Sequence, residues 1–237
     1  MNSQQVLLLL KRQANPDIAT YSQRFFKTAE GEYAYGDVFW GIRVPVLRQL
    51  VKSFVGLELE EIRILLTSLV HEVRLFALLL LVKQYQQAEQ ASKQQIFDCY
   101  LAHTAYINNW DLVDSSAHLI VGPHLQTQSR SVLYQLAESH SWWERRIAIM
   151  ATFHFIKIND FTDTLKLANI SLLDKHDLMH KAVGWMLREV GNRDKEVELN
   201  FLTRHYQQMP RTMLRYAIEK FPEPQRQAFL HNKVISN

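Results

Sequence analysis

Trp110-Asp-Leu-Val113 is one of five segments that decide how this chain folds. Arg74-Leu-Phe-Ala77, Arg145-Arg-Ile-Ala148, His180-Lys-Ala-Val183 and Arg215-Tyr-Ala-Ile218 carry the same pattern, two mostly polar or bulky residues followed by two small or aliphatic ones. Successive starts lie 36, 35, 35 and 35 residues apart. Between them run second amphipathic stretches, from Lys93 to Leu101, Arg130 to Glu138, Asp160 to Leu172 and Lys195 to Tyr206. A near-fixed period with two amphipathic stretches in each turn of it marks helical pairs, which cannot bury their apolar faces alone and do so by stacking on their neighbours.

The expected fold is therefore all-α: a right-handed superhelical solenoid of HEAT-like helical-pair repeats with a period of about 35 residues. Seven glycines and six prolines in 237 residues favour long helices over turn-rich β architecture. A single domain over residues 1–237 is expected, an irregular amino-terminal cap at 1–41 and helical repeats at 42–237. Within the cap, Gln4 to Gln13 reads as a helix. Asn15-Pro16-Asp17 then starts another, Asn15 as cap and Pro16 in the first turn, which runs to about Lys27. Thr28 to Gly41 holds three glycines with Tyr33, Tyr35, Phe39 and Trp40, and reads either as a packed cover over the first repeat or as a loop that touches substrate.

Hydrophobic residues at 47% and charged residues at 22% are ordinary for a folded soluble protein. Cys99 is the sole cysteine, which excludes an intrachain disulfide framework or thiolate metal cage, fits a cytoplasmic location, and reads as a small core residue. Met1 to Arg12 has five consecutive apolar residues and no cleavage-site pattern, so no signal peptide is expected. The longest apolar run, Leu75 to Val82, is far too short to cross a bilayer. The net charge of +3 is mild, so any nucleic-acid footprint must come from clustering on one face.

Such clustering follows from the repeat register. Each residue turns about 100° around a helix, so the third and fourth columns of the five segments point one way. They hold Phe76, Ala77, Leu112, Val113, Ile147, Ala148, Ala182, Val183, Ala217 and Ile218, the expected buried stripe. The neighbouring stripe carries Trp110, Asp114, His118, Arg145, Arg146, His180, Lys181, Trp185, Arg188, Arg215 and Lys220, with Asp111 and Glu219 as further carboxylates. Stacked helices would align it into a concave surface whose lysines and arginines neutralise phosphates. The alternative is a solvated charged face.

Three segments on these helices, Asn109-Trp-Asp-Leu-Val-Asp-Ser115, Trp143-Glu-Arg-Arg-Ile-Ala-Ile149 and Lys181-Ala-Val-Gly-Trp-Met-Leu-Arg-Glu189, resemble the signature stretches of the AlkD-like DNA alkylation repair proteins, which are HEAT-like repeat DNA glycosylases. The resemblance covers nearly the whole chain, Phe39 to Arg48 included. It implies excision of cationic N3- or N7-alkylated purines from double-stranded DNA, with no metal and no organic cofactor, and nothing in it requires more than a monomer. It further implies that Trp110 and Trp185 are the active-site tryptophans, Asp114 the essential carboxylate and Arg146 the arginine of the second segment. Arg145, Lys181, Arg188, Arg215, Phe25 and Lys27 are the expected DNA-binding residues. A carboxylate at Asp114 suits an oxocarbenium-like sugar, indole faces suit a nearby cation, and a guanidinium suits a phosphate. Two departures stand out: Thr28 to Asp37 looks like an insertion, and Phe25 replaces a tyrosine.

Plainer roles compete with each of these. Asp114 could cap or pair within its repeat, through Ser115 or Arg146, and Trp110, Trp142, Trp143 and Trp185 could be packing between helices. His176 and His180 have metal-ligand spacing beside Asp174 and Asp177, but no third strong ligand is fixed, so no metal is expected. At the level of function, a duplex-binding module without chemistry and a protein-interaction solenoid are the alternatives to an enzyme.

Overall fold

The structure, a computed structural model, describes residues 1–233, so the last four residues of the expected repeat region lie outside the described residues. These divide into two compact units, Met1–Ser116 and the residues from Ala117 onward. The first holds α1 (Ser3–Arg12), α2 (Pro16–Phe26), α3 (Val44–Val51), α4 (Leu59–Leu66), α5 (His71–Gln87), α6 (Gln90–Ala102) and α7 (Trp110–Asp114). The second holds α8 (Ala117–His124), α9 (Ser131–Ala137), α10 (Trp142–Ala151), α11 (Phe153–Lys157), α12 (Thr162–Ile170), α13 (Asp177–Gly191), α14 (Lys195–His205), α15 (Arg211–Ala217) and α16 (Glu223–Leu230). Among the described residues the β structure is one isolated bridge, Val38 to Val70. The chain is all-helical, as expected.

Local chemistry explains the helix starts. Asn15 accepts from the amides of Asp17 and Ile18 at 3.0 and 3.1 Å, with Pro16 in the first turn of α2. That helix ends at Lys27, whose φ of 56° puts it in the left-handed region. The longest irregular stretch, residues 27–43, lies between α2 and α3. Its later part packs, because Ala34, Phe39 and Ile42 are buried and the amides of Trp40, Gly41 and Ile42 all donate to the Glu72 carboxylate of α5, while residues 29–32, 35 and 36 are exposed. Gly41 has a φ of 77°, and a Cβ there would lie 2.1 Å from the Asn15 carbonyl oxygen, so no other residue fits.

The five repeat segments fall on α5, α7, α10, α13 and α15, the last running on through Ile218 into a 3₁₀ turn. All ten residues of the expected buried stripe are buried. The second stretches form α6, α9, α12 and α14, the third of them followed by a 3₁₀ turn at Ser171–Leu173. Within the second unit α13 packs against α10, α14 and α15. Gly184 permits the last of these contacts, since a Cβ there would sit 2.4 Å from the Met213 carbonyl oxygen. Leu75 to Val82 lies in α5, nearly all of it buried, and no described helix is long and apolar enough to cross a membrane. Cys99 is buried, and burial raises its thiol pKa, as a core cysteine should show.

One register expectation needs correction. The repeat register puts His118 on the same helix as Trp110, but α7 ends at Asp114 and His118 lies in α8. The Ser115 and Ser116 hydroxyls both turn back to the Leu112 carbonyl, at 3.4 and 2.6 Å, a competition with the helical ladder that ends the helix there.

Candidate functional site

Trp110, Asp114, Phe25 and Lys27 belong to the first unit. Asn109 caps α7 by accepting from the Trp110 amide at 2.8 Å, which fixes where the indole emerges. The indole is half-buried, its N–H donates to the Tyr33 hydroxyl at 3.3 Å, and its ring lies 5.3 Å from Phe26 and 5.9 Å from Phe25. Phe25 is 51% exposed and edge-on to the indole, on the α2 side that also presents exposed Tyr21. Asp114 lies one helical turn after Trp110 at the other end of α7 and is partly exposed, so both fall on one side of this short helix. Lys27 is exposed at the end of α2.

Behind these residues lies a buried charge network that the repeat pattern does not reveal. His71 approaches Asp111 Oδ2 at 2.8 Å and Asp37 Oδ2 at 3.2 Å. Arg74 donates to the other Asp37 oxygen at 2.7 Å, to Asn108 at 3.0 Å and to the Ser68 carbonyl at 2.9 Å. Burial would push the His71 imidazole down, but the charge and hydrogen bond of Asp111, with the bond to Asp37, raise it to about 9. Burial likewise works against ionised Asp37, yet His71 and Arg74 outweigh it and hold that carboxyl below its usual range. A cleft of about 360 Å³ adjoins the network, walled by Tyr21, Phe25, Phe26 and Phe39 with His71 and Asp111 among its lining.

The second unit holds Arg145 and Arg146 on α10, Lys181, Trp185 and Arg188 on α13, and Arg215 on α15. Arg145 donates to Asp174 at 2.7 Å and to the carbonyls of Ser139 and His140 at 2.9 and 3.2 Å. Lys181 pairs with Asp177 at 2.7 Å, and Arg188 pairs with Glu219. Trp185 is half-buried, with its indole N–H on Glu189 at 2.9 Å and its ring 6.2 Å from Phe153. Arg215 is exposed.

Two expectations for this stripe change. Arg146 is not on an exposed face: it is 4% exposed and donates to the Leu178 carbonyl, because α10 packs directly on α13. The stripe is also less cationic than its register implied, since Asp174, Asp177 and Glu219 each neutralise one of its cations. His176 and His180 are used locally: His176 accepts from the Leu178 amide at 3.3 Å and stacks on Trp142, and His180 meets the Asp174 carbonyl at 2.6 Å. Among the described residues no group of three histidine, cysteine or carboxylate side chains is arranged to hold a metal ion.

Comparison with known proteins gives a consistent picture. The family model described as DNA alkylation repair enzyme matches residues 6–221. A solved structure described as a predicted DNA alkylation repair enzyme from Enterococcus faecalis is similar, with a TM-score of 0.72 and 18% identity over 89% of this chain and 98% of that one. At that identity the likeness speaks for the fold. No curated protein matches.

Proposed function

Because the chain belongs to the DNA alkylation repair enzyme family, we propose that it is a DNA glycosylase that hydrolyses the N-glycosidic bond of cationic N3- or N7-alkylated purines in duplex DNA. The helical pairs would wind as a right-handed, HEAT-like solenoid with a period of about 35 residues, its concave face taking the duplex. The observation that carries the reading is α7, where Trp110 and Asp114 sit one turn apart, both partly exposed, with aromatic rings packed on the indole.

An alkylated purine is already cationic, so when its C1′–N bond breaks the electron pair leaves with the base and neutralises it. The sugar is left as an oxocarbenium-like cation. Asp114 stabilises that cation and aligns a water for attack at C1′, taking up the proton that the water releases. Trp110 and Trp185 supply indole faces to the sugar cation. Arg146, once turned away from the Leu178 carbonyl, grips a flanking phosphate. Arg145, Lys181, Arg188, Arg215 and Lys27 meet the backbone, with Phe25 beside the lesion. The cations already paired with carboxylates exchange those partners for phosphates.

The test is release of 7-methylguanine or 3-methyladenine from alkylated duplex DNA. The wild-type protein should release free base, and Asp114→Asn should slow release at least about 100-fold. Binding of duplex without any release, lost in Arg188→Ala, would instead identify a non-catalytic binder.

A further inference from the structure

His71 opens α5, is 1% exposed, and has both ring nitrogens directed at carboxylate oxygens, those of Asp37 and Asp111. Phe26 and Phe39 flank it, with ring centroids at 4.9 and 4.5 Å. A neutral imidazole has one N–H and one lone pair. In this setting it would hold that lone pair against a carboxylate, in a place closed to water. The doubly protonated ring donates to both partners. It also balances the cluster, because without its charge two carboxylates would share the single guanidinium of Arg74.

The other elements packed on the ring do not alter this count. Arg74 and Glu72 come from α5 itself, and Glu72 is already committed to the amides of Trp40, Gly41 and Ile42. Residues 27–43 contribute Asp37 and, on the wall of the same cleft, the solvent-exposed Arg43, α7 contributes Asp111, and α2 contributes the uncharged Phe26. Asp111 is the residue next to Trp110, and its second oxygen accepts from the Leu112 amide at 2.9 Å. The Phe26 ring that lies on His71 is the same one that stacks on the Trp110 indole. The imidazole therefore reaches Trp110 by two routes, through the first turn of α7 and through Phe26.

We propose that His71 is the positioning residue of the Trp110 site: as an imidazolium it ties Asp37 of residues 27–43 to Asp111 of α7 and so sets the indole against Phe26 and Tyr33. Its consequence for excision rests on the glycosylase reading; its protonation and its hold on Trp110 do not.

Long-range ¹H–¹⁵N spectra of the imidazoles test the first point. At pH 7.5 both His71 nitrogens should be protonated, with deprotonation centred close to 9. In protein labelled with 5-fluorotryptophan, the Trp110 resonance, assigned by Trp110→Phe, should move with that same midpoint. His71→Gln, which removes the charge and one of the two links, should shift the resonance at pH 7.5. On methylated duplex it should lower kcat about tenfold with KM changed less than about twofold. Asp111→Asn should carry the alkaline limb of the kcat profile at least one pH unit lower. A single protonated His71 nitrogen at pH 7.5 in the wild-type protein would overturn the proposal whether or not the variants fold. So would a folded His71→Gln whose Trp110 resonance and kcat match the wild type. If the wild-type protein releases no base, the glycosylase reading fails by itself and the spectra still decide the role of His71.

Discussion

The two units hold charge differently at their candidate sites. Around α5 and α7, Asp37 and Arg74 pair with their side chains only 6% and 4% exposed, and His71 is sealed between two carboxylates. On α13, by contrast, Lys181 and Asp177 pair at 38% and 58% exposure. A buried pair is rigid and costly to break, whereas an exposed pair is worth about 1 kcal/mol or less and is readily exchanged. Buried charge thus shapes the platform for Trp110, while Lys181 on the second unit can leave Asp177 for a phosphate at little cost.

Removing one partner from each kind of pair tests that contrast. The largest effect should come from Asp37→Ala, which strands Arg74 and His71 in the interior and should cost about 3–5 kcal/mol by urea unfolding. A loss below about 1 kcal/mol would erase the distinction between the units.

The next effect is on pH dependence. His71 has its folded pKa raised to about 9 from the ordinary imidazole value of 6.5. Its stabilisation is therefore complete below about pH 6.5 and lost as pH rises through about 9, by on the order of 3 kcal/mol. Unfolding free energies measured at intervals from pH 6 to 10 should fall across that window, and in His71→Gln the fall above about pH 8 should disappear, leaving the part below pH 8 that Glu198 contributes.

Glu198 on α14 is the second unit's counterpart, and it lacks a charge partner at hand. It is 2% exposed, its Oε1 has no hydrogen-bond partner, and burial, only partly offset by Arg188 and Lys195, raises its carboxyl to about 8. A raised carboxyl favours the folded state at low pH and loses that benefit from about 4.5 up to about 8. Glu198→Gln should therefore gain about 1–2 kcal/mol at pH 8 and nothing at pH 4, as read from thermal midpoints. Unchanged midpoints at both pH values would show that the acid finds a partner in solution.

Lys181→Ala should have the smallest effect on folding, under about 0.5 kcal/mol. Its effect should appear instead in duplex binding, where the slope of log affinity against log salt should drop by about one. A stability loss as large as that of Asp37→Ala would contradict the exposed-pair account.

Much of the fold was legible because it is periodic. Ten positions read as one stripe from five segments are all buried, and the Asn15 cap follows from residue type alone. The composition of residues 28–41 marked an irregular aromatic stretch, though not that Asp37 within it would bury Arg74. That contact joins residues 37 apart in sequence, and His71 reaches across 34 and 40, so no local pattern announces them. Arg146 misled for a related reason. Its column points to a flank of the helix, but the close approach of α10 to α13 buries that flank as well. The resemblance singled out Trp110 and Asp114, while the network that supports them came from tertiary packing.

Base release from a duplex carrying 7-methylguanine, followed for the wild-type protein and for an Asp114→Asn variant of matched thermal stability, tests the role of Asp114 most directly. Free 7-methylguanine from the wild type, released at least about 100-fold more slowly by the variant, is the predicted result. Equal rates for the two proteins, or no release by the wild type from a duplex it binds, would contradict it.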